Sequence, residues 1–138
     1  MKSALDKVLH PLGGFPMLEH VLSSVERTGI AHRAVVLAPG MDRVSELVRA
    51  REGATGIFIQ KEQLGTADGV LAAREALEGF TGDVIVLYGD TPLLRPETLR
   101  RLRQALAEGA DIAVLGFEAR DPGAVSYTHL TLPTILRV

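Results

Sequence analysis

The chain has no cysteine. That excludes a disulfide framework, a thiolate metal site and a cysteine nucleophile, and it suits a cytosolic protein. An excess of charge is also lacking. The formal net charge is −2 with charged residues at 23%, which argues against a basic nucleic-acid surface and against a disordered acidic tail. No apolar run approaches membrane-spanning length, and the opening "MKSALDKVLHPLGG" has no long apolar segment of the kind a signal peptide needs. Internal repeats and low-complexity stretches are absent as well. The reading is a cytoplasmic protein with neither nucleic acid nor membrane as a partner.

What is present fits one domain or a piece of one: 138 residues, 46% of them hydrophobic. Strand-like runs recur at Arg33 to Pro39, Gly56 to Gln60, Asp83 to Asp90 and Ala110 to Ala119. Their near-continuous apolar character predicts strands covered on both faces, as in parallel sheets. Between them lie segments of helical period. Pro16 opens one whose apolar face is Met17, Leu18, Val21, Leu22 and Val25, and Gly29 closes it. Val44, Leu47 and Val48 mark a second, Val70, Leu71 and Leu77 a third, and Leu99, Leu102 and Leu106 a fourth. Helix and strand in regular alternation predict an α/β fold with a doubly wound, mostly parallel, Rossmann-like sheet. Such sheets open on a strand whose following loop binds phosphate at a helix amino terminus. This chain opens beyond that point, in a loop, so the expected sheet is incomplete, with its first strand missing.

Three stretches could carry chemistry. In "DVIVLYGDTPLL" an apolar run stops at Tyr88-Gly89-Asp90. The pair Gly89-Asp90 can be a plain turn, with Gly89 supplying an unusual backbone angle and Asp90 capping the next segment. Asp90 can equally sit at the carboxyl end of a strand, where open α/β sheets place their ligands. A carboxylate there suits Mg²⁺, a hard ion that takes one or two carboxylates and completes its shell from waters and phosphates. In "QKEQLGTADGVLAA", Gln60 and Gln63 offer amide donors and acceptors suited to a flat heterocycle, and Gly65-Thr66 opens a helix with free backbone N–H groups. The alternative is a plain helix cap on Thr66, with Gly65 permitting the turn. In "KVLHPLGG", Lys7 taken alone is a solvated lysine. His10 and His20 have no third partner at metal-ligand spacing, Lys61 and Glu62 read as a solvated pair, and Asp42, Glu46, Glu75 and Glu97 lie on polar helix faces. Neither a Ser-His-Asp arrangement nor a close carboxylate pair for glycoside hydrolysis is arguable.

Taken together, "KVLHPLGGFPMLEHVL", "QKEQLGTA", "VLYGDTPLL" and "TLRRL" resemble, in order and spacing, bacterial N-acetylglucosamine-1-phosphate uridyltransferase. That family is the amino-terminal pyrophosphorylase part of the bifunctional enzyme that makes UDP-N-acetylglucosamine for peptidoglycan and lipopolysaccharide. The likeness runs from Met1 to Ala124. It implies uridylyl transfer from UTP to N-acetylglucosamine-1-phosphate with Mg²⁺, releasing pyrophosphate. Lys7 would contact phosphate and neutralise charge. Gln60, Gly65 and Thr66 would hold the uracil, Tyr88, Gly89 and Asp90 would line the sugar–phosphate site, and Asp90 would bind the metal. The whole protein would be a homotrimer assembled through a carboxyl-terminal domain. A related nucleotidyltransferase acting on another sugar phosphate or cofactor precursor, or a non-catalytic nucleotide-binding module, are the alternatives.

The departures carry expectations too. The family's glycine-rich loop would precede Lys2, Asp6 stands where proline is usual, and Asp68 stands where histidine is more frequent. The asparagine sharing the metal, the residues holding the acetylated sugar and the acetyltransferase domain have no counterpart, so the chain as it stands is expected to be catalytically inactive. From Val125 the sequence "VSYTHLTLPTILRV" leaves the family, and Val125 to Thr134 resembles a transposon sequencing adapter translated in one frame. Residues 1–124 are therefore read as a partial uridyltransferase domain and 125–138 as a non-native tail, poorly ordered or loosely docked, with Pro133 interrupting its pattern.

Overall fold

The structure is a computed structural model and describes residues 5–51, 53, 55–62, 64–116 and 134–137. It opens on a single 3-10 turn, Lys7–Leu9, and a small hairpin of β1 (Pro11–Leu12) and β2 (Phe15–Pro16). The two residues between them, Gly13 and Gly14, have φ of 59° and 91°, the left-handed pair that a tight mirror-image hairpin turn requires. Helix α1 (Met17–Glu26) follows directly and buries Leu18, Val21, Leu22 and Val25, the face that the helical spacing predicts.

Strand β3 (Arg33–Leu37), helix α2 (Asp42–Arg49) and strand β4 (Thr55–Ile59) form a parallel crossover unit. The register runs from Arg33 opposite Thr55 to Leu37 opposite Ile59. Helix α2 contributes Val44 and Val48, both essentially without solvent contact. These two pack with Leu18, Leu22 and Leu37 into one core, to which Val8, Val35 and Ile57 add from its edges. Each such side chain, fully buried, contributes about 1.5–3 kcal/mol relative to exposure.

A second core lies under helix α4 (Pro96–Ala107), where Leu102 and Leu106 pack on Ala113 with Ile85 and Leu115 alongside. Its sheet holds β5 (Asp83–Val86), β6 (Ile112–Val114) and β7 (Thr134–Arg137), in the order β5-β7-β6. β7 runs antiparallel to both neighbours, so β5 and β6 run parallel to each other.

The doubly wound α/β architecture is thus present, and three local expectations need correction. The segment Ala67 to Gly79 is not one helix. Helix α3 (Thr66–Ala72) stops early and gives way to a 3-10 turn, Arg74–Leu77. Gly69 weakens its interior, and Leu71 is exposed, so no continuous apolar stripe rewards a longer helix. The strand from Asp83 ends at Val86, which leaves Tyr88-Gly89-Asp90 beyond the ladder. The third correction concerns the tail: 134–137 is not loosely docked but pairs with both β5 and β6. Pro133, on which the expectation of an interrupted pattern rested, lies outside the described residues.

Candidate active site

The carboxyl ends of β4 and β5 converge on one group of side chains. Gln60 directly follows β4, and its backbone N–H donates to the Leu37 carbonyl at 2.9 Å, so the end of the parallel pair holds it in place. Its side-chain nitrogen Nε2 donates to the Gly65 carbonyl at 3.1 Å and to Asp68 Oδ2 at 2.8 Å. Gly65 has φ 120° and ψ −174°, a conformation that only glycine adopts without strain, while a Cβ there would meet nothing within 4 Å. The glycine is needed for its backbone angle, not for space.

Thr66 is the first residue of α3, and no side chain caps that helix. The cap role for Thr66 is therefore not observed; its hydroxyl instead receives the Tyr88 hydroxyl at a long 3.4 Å. That contact joins the start of α3 to the segment after β5. Gln63, the other amide of this stretch, lies outside the described residues.

After β5, Gly89 and Asp90 form a turn. The Thr91 hydroxyl donates to the Tyr88 carbonyl at 2.8 Å and fixes that turn from within. Gly89 has no positive φ, so the unusual backbone angle is not its purpose. A Cβ there would come within 3.2 Å of Val8 Cγ1 and 3.3 Å of Leu18 Cδ1. Glycine lets the first turn of the chain and α1 close down on the strand end. This brings Lys7 over Asp90, and Nζ lies 2.7 Å from Oδ2. The lysine side chain is 70% exposed and the aspartate 34%, so this pair is open to solvent on the lysine side.

All seven residues singled out from the sequence, Lys7, Gln60, Gly65, Thr66, Tyr88, Gly89 and Asp90, therefore fall into two adjoining groups. One is shaped by an amide, a glycine and two hydroxyls; the other is the Lys7–Asp90 ion pair with Gly89 beside it. Asp68, noticed in the sequence only as a departure, completes the first group. His20 is structural, with Nε2 2.7 Å from the Leu12 carbonyl and its ring edge-on to Phe15.

Among the described residues no group of three or more His, Cys, Asp or Glu could hold a metal by itself. A lone carboxylate at a strand end does fit an ion that takes most of its ligands from water and phosphate.

A contrasting charge cluster lies at the other end of β3. Glu26, near the end of α1, accepts from Arg33 at 2.8 Å and from Arg51 Nη2 at 2.8 Å and Nε at 3.1 Å, while Arg51 also reaches the Ser23 hydroxyl at 3.0 Å. The hydrogen bonds from Arg51 hold the Glu26 carboxyl below its ordinary range against the opposing effect of burial, with Arg33 adding to them. Arg51 is in turn raised by Glu26.

Parallel strands joined by helices, with polar and charged side chains gathered beyond the strand ends, are the arrangement of a Rossmann-like α/β fold. A solved structure of 4-diphosphocytidyl-2C-methyl-D-erythritol synthase from Anaerococcus prevotii matches it with a TM-score of 0.74 over 97% of this chain and 66% of that one, at 15% identity. The chain belongs to the MobA-like NTP transferase domain family, which it matches over residues 1–138. Among curated relatives it is 54% identical over 123 residues to the "Bifunctional protein GlmU" of Azorhizobium caulinodans and 51% identical over 122 residues to that of a Bradyrhizobium species. The protein of the same name from Brucella anthropi is 46% identical over 122 residues. Each match covers 88% of this chain and 27% of the relative, so the chain spans about a quarter of the length of these proteins. The resemblance read from the motifs is borne out by these relatives.

Proposed function

We propose that the protein to which this chain corresponds transfers a uridylyl group from UTP to N-acetylglucosamine-1-phosphate, giving UDP-N-acetylglucosamine and pyrophosphate. The observation that carries this reading is the meeting of the Gln60 group and the Lys7–Asp90 pair beyond the ends of β4 and β5. A flat base and a charged phosphate chain need adjoining sites of these two kinds.

In the reaction a phosphate oxygen of the sugar phosphate attacks the α-phosphorus of UTP in line. The new P–O bond forms as the bond to the β-phosphate bridging oxygen breaks, and the electron pair leaves with pyrophosphate. No covalent enzyme intermediate is required, and positioning with charge neutralisation supplies the acceleration. Lys7 brings an ammonium group to the phosphates. Gln60 and the Gly65-Thr66 backbone hold the base, and Tyr88 and Gly89 border the sugar phosphate. Asp90 would hold Mg²⁺, which when bound neutralises phosphate charge. The setting is the cytoplasm, and trimer assembly belongs to a carboxyl-terminal domain. Residues 125–138 are proposed to be foreign to the domain in origin.

The test is a chimaera in which the matched residues of this chain replace their counterparts in the Azorhizobium caulinodans relative. Pyrophosphate release is then measured with the four nucleoside triphosphates in competition. UTP should be used in strong preference; equal use of ATP and UTP would remove the assignment.

A further inference from the structure

We infer that Asp68 is a positioning residue that fixes which edge of the Gln60 amide a bound base meets. By this it favours a base with a ring N–H over one with a ring nitrogen acceptor. The inference rests on the reading of this group as a base site.

An amide carries two N–H donors on one side and an acceptor oxygen on the other, so a free glutamine can present either. Gln60 is not free. Its partners are the Asp68 carboxylate at 2.8 Å and the Gly65 carbonyl at 3.1 Å, and both can only accept. The nitrogen must therefore face them, and its two N–H bonds are engaged. The amide is also backed by Gly69: a Cβ built there would lie 3.7 Å from Oε1 and 3.8 Å from both Cδ and Nε2. That near-equal spacing means the amide lies flat over the first turn of α3. One edge is clamped, one face is covered, and Oε1 is the atom left to meet a ligand.

An imidazole at position 68 would not have this effect, because its N–H can donate to Oε1 and turn the amide over. A carboxylate cannot do so. Facing a pyrimidine, Oε1 accepts from N3–H of uracil but meets the N3 lone pair of cytosine, an acceptor against an acceptor. Discrimination of this kind comes from a polar group left unpaired by the wrong base.

The experiment is nuclear magnetic resonance on the isotope-labelled 138-residue chain with Mg²⁺, titrated with UTP and CTP. In the unsubstituted chain UTP should shift the Gln60 side-chain carbonyl carbon more than the side-chain NH₂ signals, since the donors are already engaged. The UTP-to-CTP affinity ratio should fall about three- to tenfold in Asp68→Leu and be better kept in Asp68→Glu, which retains an acceptor-only carboxylate. If UTP acts on the NH₂ rather than the carbonyl, or the ratio is unchanged in a folded Asp68→Leu, the inference is overturned while the base site stands. If Gln60→Ala leaves UTP binding unchanged, the base-site reading fails and takes the inference with it. The carbonyl measurement needs no substitution, so a failure of Asp68→Leu to fold leaves the test intact.

Discussion

The charges before β3 and those beyond β5 are held in contrasting ways. Before β3, Glu26 is gripped by two arginines through three hydrogen bonds, and one of those arginines is fixed in turn by Ser23. Beyond β5, Asp90 has a single short bond to a lysine whose side chain is mostly in solvent. The first cluster ties α1, β3 and the end of α2 together. The second joins two long-range groups across 83 residues of sequence, with the lysine side chain largely in solvent. A lysine and an aspartate held this way can exchange each other for a phosphate and a cation with little structural cost. The comparison separates charges that hold the fold from charges available to a ligand.

That separation can be broken by substitution. Lys7→Ala in the chimaera should lower uridylyl transfer by about 10²–10³-fold, as loss of a charge-neutralising group does, while leaving its thermal midpoint almost unchanged. Glu26→Gln should do the reverse in the 138-residue chain, costing about 1–2 kcal/mol in denaturant unfolding. The chimaera carrying Glu26→Gln should keep its turnover. A large loss of turnover there, or a large loss of stability in Lys7→Ala, would erase the distinction.

The pH dependence sharpens it. Glu26 has a folded-state pKa depressed below its ordinary value of 4.5, so its stabilisation is present above that value and is lost as pH falls through the depressed one. The stability gap between the unsubstituted chain and Glu26→Gln should therefore be constant near neutrality and close below about pH 4.5. A gap that persists at pH 2 would assign the effect to packing instead.

A smaller effect is expected at Gly89. The methyl of Gly89→Ala would press on Val8 and Leu18, two side chains that can shift, at a cost of about 1 kcal/mol. Because those contacts seat Lys7 over Asp90, turnover of the chimaera should fall further than stability does. Equal activity would show that the close approach at Gly89 does not position the lysine.

Much of this was legible before any coordinates. Helices α1, α2 and α4 follow from apolar spacing, with glycines at Gly29 and Gly109 in left-handed conformations beyond two of them. The strand ends near Gln60 and Tyr88 were readable from where apolar runs stop. The early stop of α3 was not, because Leu71 has helical spacing but no partner to pack on. Nor was β7: pattern alone does not say which four residues of a proline-containing tail will supply a ladder to β5 and β6. For the site, motif resemblance reached Lys7 and Asp90, whereas their contact is a matter of topology that no local spacing encodes. Asp68 was visible only as an unexpected residue, and its purpose emerged from its distance to Gln60.

The most direct test of the strand-end site is the Mg²⁺ dependence of pyrophosphate release by the chimaera, compared with its Asp90→Ala form. The account predicts turnover of UTP and N-acetylglucosamine-1-phosphate that saturates with Mg²⁺ and is abolished by the substitution, with the fold intact. Full Mg²⁺-dependent activity in Asp90→Ala would contradict it.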